Sequence, residues 1–246
     1  MRQPPQSKAQ AVIIERPSAS RGEVALDWLH SRHTFSFGHY YDPAWMGFGV
    51  LRVINDDTVA PGGGFAPHRH ANMEIISVVL EGALAHQDSA GHSGVIRAGD
   101  VQWMSAGHGI EHSEYNASQT EPVHFLQLWI QPERLNHQPA YEQQHFPLQA
   151  RHGRWCVVAS PDGVAGAVAI RQQATLAITH LQSGGALEVV LEASRRYWLH
   201  VASGEVMLDD RALSAGDALG FVEESGVLNL RGGAAASDVL LFTLPA

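Results

Sequence analysis

Short runs of Val, Ile, Leu and aromatic residues recur along the chain at 48–54, 75–80, 94–96, 101–104 and 123–131, each closed off by Gly, Pro, Asn or Asp. Runs of this length, punctuated by turn formers, predict strands, and their regular succession predicts an all-β sandwich or barrel. A further strand is expected at 11–14, after a leader rich in Pro and Gln that is expected to fray. Helical periodicity is scarce; 23–29 and 139–145 are the two short segments where a helix is expected.

The pattern also repeats. Leu80-Glu-Gly-Ala-Leu-Ala leads to Ile96-Arg-Ala-Gly-Asp-Val, and Ala202-Ser-Gly-Glu-Val-Met leads to Leu213-Ser-Ala-Gly-Asp-Ala. In both copies a Gly near a strand end permits a bend, and Ala-Gly-Asp forms a tight turn in which Asp bonds nearby backbone. Such a repeat predicts two copies of one β module. The polar stretch 132–149, with three prolines, reads as a connector. The expected division is a first module over 1–135, a connector over 136–150 and a second module over 151–246.

Strand periodicity gives meaning to two residue pairs. Side chains two apart on a strand share a face, so His68 and His70 converge, as do His112 and Glu114. If the two segments are neighbours in a small barrel, three imidazoles and a carboxylate meet inside it. Among fifteen histidines a single His-x-His would often be surface decoration; a second pair of ligand types in the same module makes a metal site the stronger reading. The glycines before each pair, Gly62 to Gly64 and Gly107 with Gly109, allow the close approaches a barrel needs. Glu74 shares the parity of His68 and His70, so strand geometry alone does not exclude it; its alternative role is a salt bridge or support behind the ligands. His86 and Asp88 run into a turn-like segment and read as a solvated strand end. His92, His108 and His124 lack a partner of this kind. Nitrogen and oxygen donors without sulfur suit Fe, Mn, Co, Ni, Cu or Zn as divalent ions, and four protein ligands on an octahedral ion leave two positions open.

Composition narrows the setting. A net charge of −9 argues against direct binding to nucleic acid, which needs Lys and Arg to neutralise phosphates. Neither an apolar run long enough for a membrane span nor an apolar signal core is evident, so a cytoplasmic location is expected. The single cysteine, Cys156, cannot pair within the chain and is expected to be a small buried apolar residue.

At these residues the sequence resembles the cupin superfamily and, within it, the pirin family. Pro67-His-Arg-His-Ala-Asn-Met-Glu74 is similar to the first cupin motif, and Gly99-Asp-Val-Gln-Trp-Met-Ser-Ala-Gly-His-Gly-Ile-Glu-His-Ser-Glu-Tyr-Asn116 to the second. His33-Thr-Phe-Ser-Phe37, Tyr40-Tyr-Asp-Pro43, Met46-Gly-Phe48 and Leu51-Arg-Val-Ile-Asn-Asp56 extend the likeness over most of 28–132. His39, where close relatives tend to have Asn, and His108 are departures from the pattern.

The resemblance implies a bicupin of two antiparallel jelly-roll domains. It places one divalent transition metal, iron foremost, on His68, His70, His112 and Glu114 of the first domain, with none in the second, where His-x-His is missing. It also implies a quercetin 2,3-dioxygenase activity, in which O2 cleaves the heterocycle of a flavonol and carbon monoxide is released. In that reaction Glu114 acts as ligand or base at the flavonol 3-hydroxyl. Phe48, Trp103 and Met104 are candidates for an apolar pocket, though strand cores hold such residues anyway. The alternative that the family implies is a non-enzymatic, iron-dependent redox sensor that binds a regulatory protein partner.

Overall fold

The computed structural model describes residues 11–246; the leader expected to fray lies outside them. The described residues form two sandwiches, each with a seven-stranded and a four-stranded sheet. In the first, the larger sheet runs in spatial order Ala140–His145, Asp100–Ser105, Glu74–Glu81, Val123–Ile130, Leu51–Val59, Leu29–His33 and Gly22–Ala25, all antiparallel. The smaller sheet facing it runs Gly64–His70, Ile110–Asn116, Ala83–Asp88 and Ser93–Arg97. In the second, the larger sheet runs Val12–Arg16, Ala218–Val222, Arg195–Ser203, Ser237–Pro245, Thr175–Leu181, Cys156–Ser160 and Val168–Ala169. The smaller one runs Ala186–Leu191, Gly226–Gly232, Glu205–Leu208 and Arg211–Ser214. This is the bicupin arrangement. Among the described residues no helix is long and apolar enough to cross a membrane.

The internal repeat has a common geometry. Gly82 and Gly204 take φ of 77° and 74° where the chain bends between strands, a region that L side chains avoid. In the matching Ala-Gly-Asp turns, Asp100 accepts from the backbone N–H of Arg97 at 2.9 Å and Asp217 from that of Ser214 at 2.8 Å.

Both expected helices are strands. Residues 23–29 are the first arm and the turn of a hairpin, closed by reciprocal backbone bonds between Leu26 and Leu29; the pairing of Gly22–Ala25 with Leu29–His33 prevails over the short helical pattern. Residues Ala140–His145 pair with Asp100–Ser105 as an edge strand, so sheet pairing overrides a short and ambiguous pattern. Two strands therefore cross the expected division of the chain. Ala140–His145, from the connector, completes the first sandwich, whereas Val12–Arg16, from the beginning, pairs with Ala218–Val222 of the second. Cys156 is only partly buried: it stands at the start of its strand, packed against the edge of the apolar core, with Arg151 and Arg154 close enough to act on its thiol.

The two seven-stranded sheets pack against each other through a continuous apolar layer. Leu51, Ile54, Ile76 and Leu126 come from one, and Leu176, Trp198, Leu240 and Phe242 from the other. The Trp198 ring is fully buried and lies 5.1 Å from both Phe35 and Phe48. A smaller polar cluster sits in the same seam. Arg21 bonds Asp56 at 3.1 Å, and His124 Nε2 approaches the other Asp56 oxygen at 2.6 Å. His200, also fully buried, has no hydrogen-bond partner among the described residues for either ring nitrogen.

Burial, aided by the Arg21 charge, lowers the His200 pKa from 6.5 to about 4. The unfolded imidazole binds a proton in that window and the folded one does not, so His200 makes stability rise with pH between pH 4 and 6.5. His200→Leu should reduce the slope of unfolding free energy against pH by about 1.4 kcal/mol per pH unit in that window. Urea denaturation at a series of pH values measures it, and an unchanged slope would show that His200 does not titrate in this way.

Candidate metal centre

The strands Gly64–His70 and Ile110–Asn116 pair so that His68 faces His112 and Ile110 faces His70. The register then shifts, and Glu114 faces Phe65. Gly64 permits this approach, since a Cβ there would lie 2.4 Å from the Glu114 carbonyl oxygen. The imidazoles of His68, His70 and His112 stand with ring centroids 4.5 to 4.9 Å apart. Each offers one ligand atom to a group lying within 4.8 Å of one another.

The donor chemistry fits a divalent transition metal. His70 Nε2 and His112 Nε2 are buried with no hydrogen-bond partner among the described residues, which is unusual for such atoms unless something absent engages them. His68 Nδ1 lies 2.8 Å from the Ala66 carbonyl, which fixes the proton there and leaves Nε2 as a lone pair. Burial, together with the neighbouring His68, lowers the His70 pKa to about 4 and that of His112 to about 3. Both rings are neutral near pH 7, the form that ligates.

Glu114 is not part of this trio. Its carboxylate accepts from Gln127 Nε2 at 2.7 Å and from Ser77 Oγ at 3.5 Å. Gln127 in turn accepts from Trp129 Nε1 at 3.2 Å, and the Trp129 ring lies edge-on to His70 at 4.8 Å. Burial raises the Glu114 pKa to about 7, against the opposing effect of those two bonds. Asp57 is likewise raised to about 7 by burial and by the charges of Glu114 and Asp56.

Glu74, the competing carboxylate, lies elsewhere. Residues 71–73 leave the strand of His68 and His70, and Glu74 opens a new strand in the other sheet. Parity does not carry across that break. Fully buried, Glu74 accepts from Trp103 Nε1 at 2.9 Å, Ser105 Oγ at 2.6 Å and the backbone N–H of Arg171 at 3.0 Å. It ties the first sandwich to the second.

His86 and Asp88 are not a solvated strand end. Both are buried, because their strand pairs with the ligand strand and sets His86 opposite Glu114 and Asp88 opposite His112. The Tyr141 hydroxyl lies 2.7 Å from His86 Nε2, and Asp88 approaches the ring of His92 at 2.9 Å. Phe48, Trp103 and Met104 belong to apolar cores. His108 is exposed and lies within hydrogen-bond distance of Gln138, whereas His39 lines the cavity beside the trio. Gln127, Trp129 and Ser77 escaped the reading of the sequence, although a lone Gln in the apolar run Phe125-Leu-Gln-Leu-Trp-Ile130 is a usable signal.

A cavity of about 510 Å³ opens beside His68, His70 and Glu114. Trp28, Phe37, Phe65 and Trp129 supply aromatic wall, and Asn55 and Asp57 lie on the opposite sheet. The volume falls within the range of roughly 300–1,000 Å³ typical of small-molecule sites.

Fold and site together define a two-domain cupin whose first domain carries a histidine cluster beside a ligand-sized cavity. Residues 15–130 match the Pirin family model, and 157–244 match the model described as the quercetinase C-terminal cupin domain. The chain is 42% identical over 234 residues to quercetin 2,3-dioxygenase of Escherichia coli K12, covering 95% of this chain and 99% of that protein. The crystal structure of the bacterial pirin YhhW from Escherichia coli in complex with nickel(II) superposes with a TM-score of 0.88 at 41% identity, covering 95% of this chain and 99% of that one. A pirin-like protein of Caulobacter vibrioides is 40% identical over 215 residues, covering 87% of this chain and 92% of that protein. The chain belongs to the pirin family.

Removing the Glu74 carboxylate leaves Trp103 Nε1 and the Arg171 N–H buried without an acceptor, at about 1–3 kcal/mol for each group. Glu74→Ala should therefore lower the urea midpoint substantially while metal bound per chain, measured by elemental analysis of the folded protein, stays that of the wild type. Loss of metal at an unchanged midpoint would make Glu74 a ligand instead.

Proposed function

We propose that the protein is a metal-dependent dioxygenase that cleaves the heterocycle of a flavonol such as quercetin with O2 and releases carbon monoxide. The observation that carries this reading is the convergence of three imidazoles, two with unpartnered buried nitrogens, at the wall of an aromatic-lined cavity. The likeness to a quercetin 2,3-dioxygenase over nearly the whole chain supports it.

In this proposal His68, His70, His112 and Glu114 hold one divalent ion, iron foremost. When bound, the ion supplies Lewis acidity that lowers the pKa of a coordinated flavonol 3-hydroxyl. Glu114 takes the proton from that hydroxyl; it is buried at the cavity wall against Gln127 and Ser77, and a bound ion would favour its ionised, proton-accepting form. Gln127, hydrogen-bonded to Glu114, orients the carboxylate, and Trp129 holds Gln127 while bracing the His70 ring. Aromatic walls receive the planar rings of the substrate and keep water from the reacting face.

Purified protein loaded separately with Fe, Mn, Co, Ni or Cu should consume a flavonol under O2, followed by the fall in its visible absorbance and by carbon monoxide in the headspace. Replacing one ligand should cost more than the roughly 10–100-fold typical of residues behind the ligands, so His70→Ala is expected to lower turnover more than about 100-fold. No turnover with any of the five metals would reject the reading.

A further inference from the structure

Part of the cavity is polar for a reason that the fold does not supply. Across the larger sheet of the first sandwich, strand register sets His33 opposite Asn55, Asn55 opposite Gln127, Gln127 opposite Ser77, and Ser77 opposite Gln102. Directly opposed residues project from the same face, so five polar side chains form one row across the inside of the sandwich, and all five are buried. In the second sandwich a comparable row sets Leu219, Leu199 and Leu241 opposite one another, within an apolar core. The duplicated fold therefore closes without polar groups at such a row.

Two members of the polar row have a use already described. Gln127 and Ser77 bond Glu114. Asn55 and His33, one and two strands further toward the sheet edge, do not. Asn55 Oδ1 and His33 Nδ1 are buried without a hydrogen-bond partner among the described residues, although both residues are less than 5% exposed and line the cavity. Atoms of this kind are costly to bury alone. Asp57 and Ser31, opposite one another and two residues along the same strands, line the same wall.

We propose that Asn55 and His33 form a hydroxyl-recognising subsite, in which they hydrogen-bond phenolic hydroxyls that the substrate carries away from its metal-binding edge. The assignment rests on reading the pocket as a flavonol site and adds which flavonols it selects. An amide and an imidazole both donate and accept, and so suit a phenol, which does the same. A site built to bond a hydroxyl discriminates against an analogue lacking it, because its own polar atoms are then left unpaired.

The test measures binding by quenching of tryptophan fluorescence, since Trp28 and Trp129 line the cavity. It compares 3-hydroxyflavone with a flavonol that carries additional ring hydroxyls, on the metal-loaded protein. The wild type is expected to favour the polyhydroxylated ligand about five- to tenfold, the size of one or two net hydrogen bonds. Asn55→Leu should shrink that preference to within about twofold. Because it removes an unpartnered buried oxygen, it should also leave the urea midpoint unchanged or raised. His33→Phe, which keeps the ring, gives the same comparison should Asn55→Leu not fold. A wild type without the preference, or variants that keep it, would overturn the subsite and leave the flavonol reading standing. A wild type that binds neither compound would overturn both.

Discussion

The antiparallel pairing of Gly64–His70 with Ile110–Asn116 is the constraint on which the site depends. With His68 opposite His112, the alternation of each strand brings His70 to the same group without any further device. A slip of one residue would send His68 and His70 to the far side of the sheet from His112. The register is held on both flanks. On one side the shift between His112 and Glu114 admits an extra residue of the Gly64–His70 strand, and such a bulge pins pairing as it re-aims side chains. On the other, Ala83–Asp88 pairs in unbroken register with the ligand strand, and Gly64 tolerates the close passage of the Glu114 carbonyl.

A sandwich that encloses a cavity and a polar row has less apolar surface left for its own core. Among the described residues, the interior of the first sandwich holds two small apolar clusters, around Val79 and Phe125 and around Ile75 and Met104. The large cluster lies behind it, between the two seven-stranded sheets. The second sandwich thus serves as backing. It has an apolar interior of its own and presents Trp198, Phe242 and Leu240 to the sheet that carries Gln127 and Asn55. Two exchanges between the halves reinforce the seam: the strand Val12–Arg16, from the beginning of the chain, pairs within the second sandwich, and Arg171, from the second half, donates its backbone N–H to Glu74 of the first.

The local parts of this design are legible in the sequence, and the long-range parts are not. The clustering of His68, His70 and His112 follows from the period of two, and the Gly and Asp of the repeated turns announce themselves through their conformational demands. Parity fails for Glu74 because it assumes one uninterrupted strand, and 71–73 break it. His86 and Asp88 look solvated when read along the chain, because what buries them is a strand more than twenty residues away. The same limit hides the polar row: His33, Asn55, Gln127, Ser77 and Gln102 are unremarkable one by one and become a feature only when register lines them up. Ala140–His145 fails differently, since a short polar segment next to Pro has no decisive pattern, and pairing at the sheet edge decides it.

The electrostatic state of the cavity ties these observations together. Burial keeps the imidazoles of His70 and His112 short of positive charge, and it raises two carboxyl groups, Glu114 and Asp57, toward neutral pH. Arg21, whose charge acts on His33 in the cavity wall, is engaged with Asp56 in the seam. A divalent ion held by the trio would supply positive charge and would favour the ionised form of Glu114. The second sandwich, whose interior is built from Leu, Val, Phe and Tyr197, sets no such acids and imidazoles together in its apolar cluster, and in this the two copies of one fold differ.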